Sequence, residues 1–175
     1  MRDLIILGTG VHSAEMAHII ERINRLQPTW NLIGHIEPKP AEAREFAGHP
    51  ILGTVEMLTQ YPQAVLVPDN EFPRDVLIPV ERLVSLVDPS CYVHPTARIG
   101  AGCVLYPNCF IGYKASLGLR VFMLGGCIIN HDDIIADHAV LASGVTLAGA
   151  VMWKNASISG RDAPFGSTCA SGVTA

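Results

Sequence analysis

One polar cluster interrupts an otherwise apolar stretch of this chain: Asn130-His131-Asp132-Asp133. Imidazole is the side chain most easily poised as a general base near neutral pH. A neighbouring carboxylate, here Asp132, can orient the ring and stabilise its protonated form. A corner histidine can equally be a solvated turn residue, and the cluster alone leaves both readings open. A second candidate is the run Gly8-Thr9-Gly10-Val11-His12. At the start of a helix, such a turn directs free backbone N–H groups and the helix dipole at a phosphate or pyrophosphate; a purely structural tight turn fits as well. Glu37 can accept from a ribose or sugar hydroxyl, or can be an exposed loop carboxylate. No metal is expected, because His131 and His138 do not make the three-histidine set of a zinc hydratase, and no CxxC pair occurs.

These residues need elements to position them, and the clearest is a repeat. From Val87 to Trp153 a large apolar residue recurs every six positions, and a mostly small column from Cys91 to Ser157 follows each by four. Neither the helical period of 3.6 nor the strand period of two accounts for this. It predicts a hexapeptide solenoid: each unit is one side of a triangular coil, and coils stack as parallel strands. Three sides make 18 residues per coil, so 87–158 gives about four coils. Cys91, Cys109 and Cys127, 18 apart, then stack as small buried residues. Gly149, 18 residues after His131, stacks beside it, where a backbone N–H can meet a developing oxyanion. Outward residues form two apolar ladders, Tyr92-Phe110-Ile128-Thr146 and Val104-Phe122-Val140-Ile158. At least one of them is expected to be a subunit interface.

Residues 1–82 read differently. A strand at Leu4–Leu7, the Gly turn, a helix over roughly 13–26 and a strand at Asn31–Ile36 make a βαβ unit with a parallel sheet. Val55–Leu58 reads as helical and Ala64–Val67 as a third strand. The expected fold is therefore an α/β, Rossmann-like βαβ domain over 1–82, a parallel β-helix over 83–160, and an irregular tail over 161–175. The dinucleotide fingerprint is incomplete, with Ser13 at the third glycine position, which argues against a front-domain oxidoreductase. A net charge of −4 gives no support for nucleic-acid or anionic-membrane partners. No stretch approaches a membrane span, the N-terminal apolar run is short for a signal peptide, and a cytoplasmic location is expected.

The Gly-Thr-Gly-Val-His turn, the segment Gly48-His49-Pro50-Ile51-Leu52-Gly53, the hexapeptide solenoid, Asn130-His131-Asp132 and Ala148-Gly149 occur in this order. Together they resemble the bacterial sugar acyltransferases typified by bacillosamine N-acetyltransferase and sialic-acid O-acetyltransferase, over residues 1 to about 160. The resemblance implies a left-handed β-helix and a homotrimer, with acetyl-coenzyme A between neighbouring solenoids and a nucleotide-sugar on the front domain. It implies His131 as catalytic base with Asp132 as its acidic neighbour. It also implies coenzyme contacts at Gly149, Ala148 and Gly144, and sugar-nucleotide contacts at Gly8, Gly10, His12 and Glu37.

Three departures are visible. Val11 replaces the second of two adjacent glycines, Val140 replaces a second histidine, and the repeat fades near Ser159-Gly160, where the family adds coils. The alternative is a catalytically impaired sugar-nucleotide-binding or assembly protein on the same scaffold.

Overall fold

The computed structural model describes residues 1–154 and 157–158. The tail expected over 161–175, and the fading of the repeat at Ser159-Gly160, lie outside the described residues.

The front of the chain is a five-stranded sheet. Strand β1 (Arg2–Leu7) passes through Gly8–Gly10 into helix α1 (Val11–Leu26), followed by β2 (Trp30–Glu37), β3 (Glu45–Phe46), β4 (His49–Thr54) and β5 (Val65–Pro68). The order is β3-β4-β2-β1-β5. All neighbours are parallel except the β3–β4 hairpin. The β3–β4 hairpin was not foreseen in the sequence; Pro50 and Gly53 interrupt the alternation by which a strand is recognised. Residues 55–60 form a 3-10 turn. Leu4–Leu7 are fully buried, as a central parallel strand requires.

From Leu86 onward the chain coils. Two-residue strands pair with strands 18 residues later, as in Phe110 with Ile128, Ser116 with Ile134 and Phe122 with Val140. The last pairing slips by one, Val140 with Ser157 and Leu141 with Ile158, so Ile158 does not follow Val140 in the expected ladder. Three parallel sheets result. Both inward columns fill the prism, including Leu105, Ile111, Met123, Ile129 and Leu141, with Cys103, Cys109 and Cys127 in the small positions. The corners stack as well, each with residues in left-handed backbone. Lys114, Asp132 and Ala150 share one corner; Gly102, Arg120 and His138 the next; Asn108, Gly126 and Gly144 the third.

The front sheet and the coil share one core. Met16, Ile19 and Ile20 of α1 pack with Leu4 and Ile6 against Leu86, Val104, Tyr106 and Phe122. Each such side chain is worth about 1.5–3 kcal/mol when fully buried. Val104 and Phe122, read from the sequence as an outward apolar ladder, are thus covered by the chain's own helix. A bidentate pair pins this contact: Arg22 Nε donates to Asp88 Oδ2 at 2.6 Å and Nη2 to Oδ1 at 3.0 Å. The other ladder remains bare, with Tyr92, Phe110 and Ile128 all exposed and Tyr92 stacked on Phe110. Among the described residues no helix is long and apolar enough to cross a membrane.

Candidate functional site

The solenoid corner at 130–133 is built from the backbone outward. Asp133 occupies an inward column position and is fully buried. Its Oδ2 accepts from the Asn130 N–H and its Oδ1 from the Val151 N–H, each at 2.8 Å. Burial pushes this carboxyl up, while the backbone donors of Val151, Asn130 and Gly149 and the neighbouring His131 pull the other way. The Asn130 side-chain amide donates to the Leu147 carbonyl on the next coil. Asp132 N–H donates to Tyr113 O (2.9 Å), and Ala150 N–H to His131 O (2.8 Å). The backbone around the histidine is therefore tied to the coil before it through Asp132 and to the coil after it through the His131 carbonyl.

On this frame His131 and Asp132 are both exposed, with Nδ1 3.1 Å from Asp132 Oδ2. A carboxylate accepts only, so Nδ1 carries the proton in this contact, and in the neutral ring Nε2 then keeps its lone pair. Gly149 lies directly beside that lone pair. Its φ is +99°, and a Cβ there would stand 2.8 Å from His131 Nε2. The stacking expected from the 18-residue spacing is thus realised, and the missing side chain is what leaves Nε2 open. Ala148 adjoins Gly149 on the same turn, whereas Gly144 stands at a different corner.

The second set lies at the C-terminal ends of β1, β2 and β5. A cleft of about 300 Å³ is lined by Gly8, Thr9, Gly10, Glu37, Asp69 and Glu71, with Pro38 and Phe72. Gly8 has φ +125°, and a Cβ there would lie 2.5 Å from Asp69 Oδ2, so the loop closes onto Asp69 only as glycine. Asp69 Oδ2 accepts from the Ser13 hydroxyl at 2.5 Å, and Oδ1 from the Glu71 and Phe72 N–H groups at 2.8 and 2.9 Å. Thr9 donates to Glu37. Gly8, Gly10 and Glu37 come together as anticipated. His12 does not line this cleft: it packs edge-on to Tyr106 and Phe122, with Nδ1 3.1 Å from the Tyr106 hydroxyl and 3.2 Å from Glu15 Oε2.

Two participants were missed from the sequence. Asp69 directly follows β5, and nothing in the spacing of the sequence ties it to the Gly turn. His35, fully buried in β2, has Nδ1 3.0 Å from the Gly8 carbonyl. Burial lowers its pKa, the neutral ring donates from Nδ1, and its buried Nε2 has no partner. The sequence signal for His35 is its place inside the apolar run Leu32-Ile33-Gly34-His35-Ile36, as in a parallel strand buried on both faces. Among the described residues no group of three or more His, Cys, Asp or Glu side chains is arranged to hold a metal ion.

The cleft and His131 belong to different corners of the coil. Phe72, a wall of the cleft, accepts through its carbonyl from Arg120 Nη2 at 3.2 Å. Arg120 stands at the corner following that of His131.

No family model matches the chain, and no curated protein sequence matches it. Solved structures do. The acetyltransferase domain of PglB from Neisseria gonorrhoeae FA1090, in complex with acetyl coenzyme A, superposes with a TM-score of 0.72 at 20% identity, over 86% of this chain and 75% of that one. A histidine-to-alanine variant of GDP-perosamine N-acetyl transferase from Caulobacter crescentus, in complex with CoA and GDP-perosamine, gives 0.69 at 22% identity, over 86% and 73%. A second structure of the PglB domain aligns over 94% of this chain and 99% of that one, at 17% identity and a TM-score of 0.63. The chain shares the fold of these two acetyltransferases.

Proposed function

We propose that this protein is an acetyl-coenzyme A-dependent acyltransferase acting on an amino or hydroxyl group of a nucleotide-activated sugar. One observation carries the reading: His131 Nε2 stands open over a glycine that cannot bear a Cβ, while Nδ1 faces the Asp132 carboxylate. The shared fold supports it, since the PglB domain was solved with acetyl coenzyme A and the perosamine enzyme with CoA and GDP-perosamine. In this reading the β-helix winds left-handed and residues 1–82 form a Rossmann-like unit that holds the nucleotide-sugar.

The chemistry uses protein groups only. Nε2 of His131 takes a proton from the acceptor amine or hydroxyl as its nitrogen or oxygen attacks the thioester carbonyl. Asp132 stabilises the imidazolium through Nδ1. Collapse of the tetrahedral species breaks the C–S bond, and His131 returns the proton to the departing thiolate. A backbone N–H at Ala148–Gly149 meets the oxyanion.

Because the cleft and His131 occupy different corners, an acceptor held by one copy is acylated by His131 of a neighbouring copy. The bare Tyr92-Phe110-Ile128 ladder supplies an apolar face for that association, in a trimer. Thermal unfolding with acetyl-coenzyme A and a panel of nucleotide-linked amino sugars tests the reading. Each ligand class should raise the melting temperature. Stabilisation by nucleotide-sugars alone would instead favour a non-catalytic binding protein, and stabilisation by neither class would overturn the proposal.

A further inference from the structure

The Gly-turn cleft is chemically lopsided. Glu37, Asp69 and Glu71 line it, and no lysine, arginine or histidine does. A helix N-terminus with about half a positive charge faces three carboxylates, and that is a poor place for a diphosphate. The cations lie next door. A small pocket beside the cleft, sharing Asp69 with it, is lined by Arg74, Arg120 and His138, with Asn70, Phe122 and Val140. Its volume of about 10 Å³ holds one water-sized atom. That is room for the leading oxygen of an anion whose body lies in the cleft.

Arg74 and the Arg120–His138 pair come from separate parts of the fold. Arg74 follows β5 and reaches across to the solenoid, where Nη2 donates to the His138 carbonyl at 3.0 Å. Arg120 and His138 are 18 residues apart and stack on one corner, both in left-handed backbone at φ 53° and 61°. No described carboxylate forms an ion pair with any of the three. The repulsion between Arg74 and Arg120 is therefore uncompensated at short range: burial lowers the Arg120 pKa and Arg74 lowers it further, while burial, Arg120 and Arg74 depress His138 and favour its neutral ring. Asp69 and Asp137 are the acidic groups that act against this repulsion. Asp69 is already engaged by three donors, and Asp137 Oδ1 accepts from the Leu119 N–H at 2.7 Å. Independently, the Asn70 side-chain oxygen is buried in this wall without a hydrogen-bond partner. A half-turn of that amide presents N–H in its place.

We infer that the Arg74–Arg120–His138 pocket between the front sheet and the solenoid binds a phosphoryl group of the ligand held in the adjoining cleft. The carboxylates of Glu37 and Glu71 then face its hydroxyl or amino groups. The division is one of charge: donors of the ligand meet the Gly turn, and its anion bridges the two parts of the chain. The inference rests on the proposed nucleotide-sugar reading and names the subsite within it.

The test is isothermal titration of the full chain with inorganic pyrophosphate, with GDP and UDP, and with guanosine and uridine. Pyrophosphate should bind the parent and compete with the diphosphate that binds. Arg74→Met and Arg120→Met should each weaken pyrophosphate by about tenfold or more, Arg74→Lys should recover part of the loss, and Arg25→Met, on the exposed last turn of α1, should leave pyrophosphate binding unchanged. Arg74 is exposed, so its variants report on binding even if Arg120→Met disturbs the Phe72 contact. Acetyl-coenzyme A should not compete. Pyrophosphate binding that is unchanged in both arginine variants, or absent in the parent, would overturn the inference, as would competition by acetyl-coenzyme A but not by nucleotides. Coenzyme A release is not read in this titration, so failure of the transferase reading leaves its result intact.

Discussion

Replacing Gly149 by alanine separates what the backbone needs from what the imidazole needs. The added Cβ would stand 2.8 Å from His131 Nε2. Ordinary contact requires the ring to retreat by at least about 0.6 Å. His131 is 62% exposed, so it can swing away at little cost in stability. The φ of +99° cannot be relieved so easily, and alanine there costs roughly 1–3 kcal/mol. For a chain of this size that lowers the melting temperature by roughly 2–12 °C. The functional penalty has a different origin: a base displaced by over half an ångström should lose on the order of 10–100-fold in rate. Thermal unfolding and coenzyme A release on the same preparations read the two effects, and a double-mutant cycle with His131→Ala links them. The stability coupling should stay under about 0.5 kcal/mol, because strain is held in the backbone and not in the ring. A Gly149→Ala protein that melts lower yet releases coenzyme A within about twofold of the parent rate would refute the view that this apposition positions the base.

The remaining predictions concern the frame. Asp133→Ala strands the Asn130 and Val151 N–H groups and should cost about 1–3 kcal/mol for each in urea unfolding, while Asp132→Ala at the exposed neighbour should leave the urea midpoint nearly unchanged. The folded protein holds the Asp133 proton to higher pH than the unfolded chain does. Its contribution is therefore present at low pH and lost as pH rises from the ordinary aspartate value through the raised one, a slope that Asp133→Asn should remove. Asp88 has the opposite sign: burial pushes it up, but bonds from Arg22 and Ser90 outweigh this and hold it below the usual range. Its contribution is lost as pH falls through the depressed value, so Asp88→Asn should flatten the acid limb of the unfolding profile. Phe122→Ala should cost about 3–5 kcal/mol by opening the core beneath α1, whereas Phe110→Arg on the bare ladder should leave subunit stability within about 0.5 kcal/mol and lower the mass seen by light scattering.

The solenoid was legible because a period of six converts directly into inward columns, and 18 into stacked corners. That arithmetic brought Gly149 to His131 and Cys109 to Cys127 without any knowledge of the fold. Periodicity also marked Val104 and Phe122 as outward and apolar, but it could not say what covers them. The answer lay in another part of the sequence, in the apolar stripe Met16-Ile19-Ile20 of α1, which itself needed a partner. The same limit applies to the cationic pocket. The 18-residue relation of Arg120 and His138 could be read directly, yet Arg74 joins them only through the docking of β5's trailing loop. His12 sits beside the Gly turn in sequence, but the first turn of α1 directs it to Tyr106 and away from the cleft. Asp133 was legible as a polar intruder in an inward column; that it fastens the corner for His131 follows only from the directions of the backbone N–H groups.

The central claim is that His131 takes the proton of an acyl acceptor. Its most direct test is the release of free coenzyme A thiol from acetyl-coenzyme A across a panel of nucleotide-linked amino sugars, with parent and His131→Gln proteins matched for melting temperature. The account predicts release by the parent with at least one acceptor and a loss on the order of 10²–10⁴-fold in the variant. Equal release by both proteins, or none by the parent across the panel while nucleotide-sugars still bind, would contradict it.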